Sequence, residues 1–176
     1  DSWHSGDRVS CMNKTLKNWK IGFIGIGLMG RPMCLNLHKA GAEMIIFNRT
    51  IAVAEALKRK NITVASTPAE VATQASIIIS MVADTVAVES ILFGKNGLVD
   101  TLKAGDMFID MGTTAVSATR EFSKRLLNTG VEYIDAPVSG GEIGAINGQL
   151  SIMAGGSTSA IERAQPIFDV LGKTTV

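Results

Sequence analysis

The sequence predicts an α/β fold: a doubly wound, mostly parallel sheet in a single domain, with helices on both faces. Short apolar runs alternate with helically spaced segments along most of the 176 residues, and parallel strands need such crossover segments between them. The run from Ser76 to Val82 is rich in β-branched residues and carries no charge, as in a strand buried on both faces. Gly25, Gly27 and Gly30 stand in G-x-G-x-x-G register between the first apolar run and the first helical segment, where such sheets bind a pyrophosphate.

The elements follow in order. Lys20 to Gly25 reads as a strand running into the glycines. Leu28 to Ala40 has helical spacing and stops at Gly41, a common helix terminator. Glu43 to Phe47 is the next strand, Ile51 to Lys60 a helix, and Thr63–Val64 a short strand. Pro68 opens a helix in its first turn, with Thr67 as its cap. After the strand at 76–82, Val86 to Phe93 reads as a helix and "GKNG" at 94–97 as a turn. Asp106 to Asp110 and Val131 to Asp135 are strands flanking a helix from Ser117 to Asn128. Leu150 to Ala154 is a strand, Thr158 to Leu171 a helix, and Lys173 to Val176 opens a last strand. The domain is expected to occupy residues 20–176, with 1–19 as an N-terminal extension.

Composition excludes several classes. Hydrophobic residues make up 46% and charged ones 19%, with a net charge of +1, so nothing draws the chain to nucleic acid or an anionic membrane. Aromatics at 5% offer few surfaces for base stacking. No apolar run approaches the roughly 18 residues of a membrane span. Cys11 and Cys34 lack CxxC spacing or a histidine cluster, which argues against a metal site. Cys34 reads as a small apolar core residue. Unpaired cysteines suit a reducing compartment, and the cytoplasm is the expected location. Met12 offers a natural start, and residues 1–11 would then be added residues or an organellar leader remnant, which leaves an organelle open.

Ligands of doubly wound sheets bind at the carboxyl ends of the strands, and each motif falls there. In "IGFIGIGLMG" the first glycine permits a tight turn, the second lets the backbone approach a pyrophosphate and the third lets the helix pack on the strand. About twenty residues on, an acid would hold the ribose 2′-hydroxyl of NAD. This chain has "FNRT" instead. Arg49 would attract a 2′-phosphate with a forked, permanently charged donor, and Asn48 and Thr50 can add neutral hydrogen bonds. NADP(H) is the expected cofactor, with NAD(H) as the alternative. In "DAPVSGGEIGAINGQLSIMAGG", Ser139, Gly140 and Gly141 offer a hydroxyl and adjacent backbone N–H groups to one point, a grip suited to a carboxylate. A glycine-rich turn without a ligand is the other reading.

"FIGIGLMGRPMCLNLHKAG", "IDMGTT" and "DAPVSGGEIGAINGQLSIMAGG" together resemble the β-hydroxyacid dehydrogenases, the group that includes 3-hydroxyisobutyrate dehydrogenase and tartronate semialdehyde reductase. The resemblance runs from residue 20 to 176. It implies a Rossmann-like cofactor domain and hydride transfer between nicotinamide C4 and the carbonyl carbon of a small acid bearing an aldehyde or primary alcohol. It places the pyrophosphate on Gly25, Ile26, Gly27, Leu28, Met29 and Gly30, and Asn48, Arg49 and Thr50 resemble members that use NADPH. By the same resemblance Val82 and Ala83 border the cofactor, Thr113 lies beside the nicotinamide, and Ser139, Gly140 and Gly141 grip the substrate carboxylate. Ala83 stands where many members have proline, and Ala87 where many have asparagine. The reductive members act on glyoxylate, succinic semialdehyde or tartronate semialdehyde.

The resemblance also implies a catalytic lysine in a G-x-x-G-x-G-x-x-x-K context, followed by an all-helical second domain and usually a homo-oligomer. That context does not occur in this sequence and would lie beyond Val176, so no catalytic residue is expected in this chain, and the chain alone is expected to be inactive. Lys173 reads as a surface residue in the turn before the last strand. His38, Asp110, Asp135, Met81, Met111 and Met153 read as structural or lining residues, and Asp84 and Glu142 as borders of the cleft. Two rival readings remain: a non-catalytic NADP-sensing or interaction module on the same fold, and an imine-reductase-like enzyme. Ser139-Gly140-Gly141 argues against the second, since an imine needs no carboxylate grip.

Overall fold

A computed structural model describes residues 15–176; the expectations for Cys11, Met12 and the rest of 1–14 lie outside the described residues. Six parallel strands form the central sheet in the order β3-β2-β1-β4-β5-β6. They are β1 (Lys20–Ile24), β2 (Glu43–Phe47), β3 (Ile62–Val64), β4 (Ile77–Ser80), β5 (Met107–Asp110) and β6 (Glu132–Asp135). The intervening helices are α1 (Gly30–Lys39), α2 (Ile51–Glu55), α3 (Pro68–Gln74), α4 (Thr85–Phe93) and α5 (Val116–Leu127). The chain then makes β7 (Val138–Ser139), α6 (Gly141–Ile146), β8 (Leu150–Ile152), α7 (Thr158–Leu171) and β9 (Gly172–Thr175). Strands β7, β8 and β9 form a second, three-stranded sheet, antiparallel between β7 and β8 and parallel between β8 and β9.

Strand side chains alternate between two cores, as the pleat requires. Ile21, Phe23, Met44, Ile46, Ile77, Ile79, Met107, Ile109 and Ile134 face α1 and α7, whose Met33, Cys34, Leu37, Ala164, Ile167 and Phe168 complete that side. Ile24, Ile45, Ile78, Phe108 and Tyr133 face α3, α4 and α5 through Val71, Val88, Leu92, Phe122 and Leu126. This is the doubly wound arrangement expected from the apolar runs. Thr67 caps α3 by accepting the Glu70 N–H at 3.1 Å, as Thr-Pro spacing predicts.

Several boundaries differ from expectation. Helix α1 begins at Gly30 rather than Leu28, because the glycine loop occupies the positions before it. Helix α2 ends at Glu55 instead of Lys60, and β4 is shorter than 76–82. The stretch after Ser139, to which the sequence assigned no element, contains α6; its glycines masked the helical spacing. Lys173 lies inside β9, exposed, rather than in a preceding turn. The packed domain also begins before Lys20: Leu16 is wholly buried and its N–H donates to the Ala40 carbonyl at 2.9 Å.

Candidate functional site

The loop after β1 is built so that only glycine fits twice. Gly25 has φ +102, and a Cβ there would sit 2.2 Å from the Met81 carbonyl oxygen. A Cβ on Gly30 would meet the Gly25 oxygen at 1.8 Å. Gly27 is different: a Cβ there would meet nothing within 4 Å. The protein does not need glycine at that position, but a ligand approaching the backbone would. The N–H groups of Gly27, Leu28 and Met29 bond to no other described residue, and α1 has no side-chain cap. Free donors and the positive end of a ten-residue helix make this a fitting seat for a pyrophosphate.

The end of β2 is tied to that loop. Asn48 Oδ1 accepts the Ile26 N–H at 2.8 Å, and Asn48 Nδ2 donates to the Thr50 carbonyl at 3.0 Å. Asn48 therefore fixes the loop against β2, a task its sequence position alone did not reveal. Arg49 and Thr50 are exposed beside it, and Arg49 has no ion pair among the described residues. Sequence reasoning passed over Arg31, which directly follows the third glycine. It is likewise exposed and unpaired, and it lines the adjoining cleft.

Strands β4 and β5 bring the next group together. Val82 packs between the first glycine and the loop after β5: a Cβ on Gly25 would lie 2.9 Å from Val82 Cγ1, and one on Gly112 would lie 2.6 Å from the Val82 oxygen. Ala83 and Thr113 are exposed on this rim. Asp84 caps α4, its Oδ1 accepting the Ala87 N–H at 2.9 Å, which assigns a residue the sequence had left without a role. Thr85 Oγ1 accepts the Ala115 N–H at 3.0 Å and joins the two loops. Asp110 is wholly buried under the second loop. It accepts from the Gly112 N–H, the Thr114 hydroxyl, the Tyr133 hydroxyl and the Ser80 hydroxyl. Burial pushes its carboxyl above the ordinary value while these donors pull it back.

Ser139, Gly140 and Gly141 follow at the end of β7. Gly140 has φ +131, a conformation essentially closed to other residues, and Gly141 has φ +63. All three residues are exposed. The Ser139 hydroxyl and the N–H groups of Gly140 and Gly141 bond to no other described residue. Glu142 reaches into a cleft of about 610 Å³ whose other wall is Ile26, Gly27, Leu28 and Arg31. The glycine loop and helix α6 thus share this cleft, through Glu142 and Ile146. Ser139 itself borders a separate, smaller hollow of about 210 Å³ with Pro137, Met153 and Val176.

His38 Nε2 bonds the Lys60 carbonyl at 2.9 Å, and Cys34 is buried, its thiol pushed up to about 12 by desolvation. Met111 is buried, while Met153 is exposed. No cluster of metal-ligating side chains occurs among the described residues, and no helix among them is long and apolar enough to cross a membrane.

A parallel doubly wound sheet with a glycine loop at its switch point defines a dinucleotide-binding domain. The chain belongs to the family of the NAD binding domain of 6-phosphogluconate dehydrogenase, which it matches over residues 20–176. It is 43% identical over 155 residues to 2-hydroxy-3-oxopropionate reductase of Escherichia coli (strain K12), covering 88% of this chain and 52% of that protein. It is 35% identical over 166 residues to the mitochondrial 3-hydroxyisobutyrate dehydrogenase of Mus musculus, covering 94% of this chain and 50% of that protein. Its fold is similar to that of Psf3 in complex with NADP+ and 2-OPP, with a TM-score of 0.85 at 29% identity over 89% of this chain and 55% of that one. The chain spans about half the length of the curated relatives it matches.

Proposed function

We propose that this chain is the cofactor-binding part of an NADP(H)-dependent oxidoreductase acting on a small 3-hydroxy acid or semialdehyde acid. The observation that carries the cofactor choice is Arg49, exposed and without an ion pair among the described residues, at the end of β2 where NAD-binding folds place an acid. The relative that reduces 2-hydroxy-3-oxopropionate and the similar structure holding NADP+ support this reading. Substrates of the 3-hydroxyisobutyrate, tartronate semialdehyde, succinic semialdehyde or glyoxylate type fit it.

The bound nicotinamide supplies the hydride. The Gly27–Met29 amides and the start of α1 hold the pyrophosphate, Arg49 and Thr50 hold the 2′-phosphate, and Val82, Ala83 and Thr113 border the second nucleotide half. Ser139, Gly140 and Gly141 orient the carboxylate through one hydroxyl and two N–H groups. The proton falls to the lysine absent from this sequence; general acid–base catalysis contributes about 10²- to 10⁴-fold, so the chain alone should show no robust steady-state rate. The whole protein is expected to be a homo-oligomer, in the cytoplasm or an organelle.

The test is titration calorimetry with NADPH and NADH on the 176-residue chain. NADPH should bind at least about tenfold more tightly. A hydrogen bond to a charged group is worth about 1.5–3 kcal/mol, so Arg49→Ala should remove most of that difference. Equal or tighter NADH binding would overturn the assignment of Arg49.

A further inference from the structure

The two ends of the cofactor crevice carry opposite charge. On the β1–β2 side stand the amides of the glycine loop and two cations, Arg31 and Arg49, none of them paired among the described residues. On the other side stands Asp110 at the end of β5; its register neighbour Asp135 instead lines a hollow under α5 with Arg120 and Lys124. Asp110 is wholly buried, and no cation pairs with it among the described residues. Its four partners, the Gly112 N–H at 3.1 Å, the Thr114 hydroxyl, the Tyr133 hydroxyl at 3.4 Å and the Ser80 hydroxyl at 3.4 Å, can all donate to it. Four donors suit an ionised carboxylate, which only accepts.

A buried charge without a counter-ion is costly. A neutral side chain would anchor the Gly112 N–H without that cost. The charge therefore calls for a cationic complement outside the protein. Dinucleotides lie across the switch point of such sheets, here between β1 and β4. With the phosphates on the glycine loop, the second nucleotide half would extend toward the carboxyl ends of β4 and β5, where Asp110 lies buried beneath the loop.

We propose that Asp110 sets the preference of the site between the two redox states of its cofactor: its fixed negative charge stabilises the cationic ring of the oxidised nicotinamide over the neutral reduced ring. The inference rests on the dinucleotide reading above. The charge pattern of the crevice then mirrors that of NADP+, negative at the phosphates and positive at the ring.

The ratio of dissociation constants for NADP+ and NADPH, measured by titration calorimetry, reads this directly. Asp110→Asn should shift the ratio toward NADPH on the order of fivefold, the scale of two unit charges about 10 Å apart in a medium between protein and water. A purely structural Asp110 would weaken both forms equally, and an unchanged ratio overturns the proposal. Thr114→Val keeps the charge but removes a tie to the loop, so it should leave the ratio at the wild-type value. A shift matching that of Asp110→Asn would mean that loop position sets the preference, and would also overturn the proposal. If Asp110→Asn unfolds in buffer, both proteins are compared in trimethylamine N-oxide, which favours the folded state. If the wild-type chain binds neither form of NADP or NAD, the dinucleotide reading falls and takes this inference with it. If it binds both and only the ratio fails to move, the dinucleotide reading stands.

Discussion

The glycine loop after β1 and the Ser139–Gly141 turn after β7 both expose backbone N–H groups, and they differ in how much of the fold stands behind them. The loop is locked into the core: Gly25 and Gly30 pack on backbone atoms, and Asn48 ties it to β2. The turn sits on a two-residue strand and opens a six-residue helix, with all of its residues exposed. In the first region the amides and helix end that would hold a ligand lie within about 25 residues of sequence. The second region presents donors to open space, and Ser139 borders only a small hollow beside Pro137 and Met153. A site whose donors are preorganised by packing can bind on its own, whereas a site made of exposed donors needs further walls to exclude water.

The sharpest way to break this comparison is at Gly30. A valine there would drive a Cβ into the Gly25 carbonyl, 1.8 Å away, with no room for the backbone to retreat. The expected loss is about 4 kcal/mol or more, a large part of the roughly 5–15 kcal/mol that holds a domain together. A melt followed by circular dichroism should show a domain unfolded or nearly so. If the melting temperature of Gly30→Val matched wild type, the loop would not be the rigid element described.

Gly27→Val separates folding from binding. Its Cβ meets no protein atom within 4 Å, so the melting temperature should stay near wild type while NADPH affinity falls at least roughly tenfold, about 1.4 kcal/mol. Retained affinity would move the pyrophosphate away from Gly27 and leave the open space there without a purpose.

The first region was legible because its physics is local. Glycine spacing, an apolar run and the residues 48–50 lie close together in sequence, and each constrains the backbone in a way that any chain of this pattern must obey. The alternation of the two cores was also legible, since each strand repeats the same period. What the sequence hid depends on distant partners. Asn48 looked like a ligand residue, and only the position of Ile26 shows that its carbonyl is already committed. Asp110 was recognised as a loop anchor, but its burial without a cation depends on Ser80, Thr114 and Tyr133 arriving from three places in the chain. Helix α6 escaped because Gly141 and Gly144 are poor helix formers, and the packing of its buried Ala145 is tertiary.

The smallest effect is expected at Ser139. Its side chain is exposed and its hydroxyl bonds to no other described residue, so Ser139→Ala removes no contact within the fold. Such surface changes usually stay within about 0.5 kcal/mol, and the melting temperature should barely move. NADPH affinity should also be unchanged, since Ser139 lines a different hollow from the glycine loop. The backbone at Gly140, held at φ +131, does not depend on the hydroxyl, so the turn should keep its shape. A marked loss of stability in Ser139→Ala would show that the turn is braced from within, like the glycine loop. A silent substitution would leave its hydroxyl with one remaining use, as a donor to a molecule that the rest of the fold does not supply.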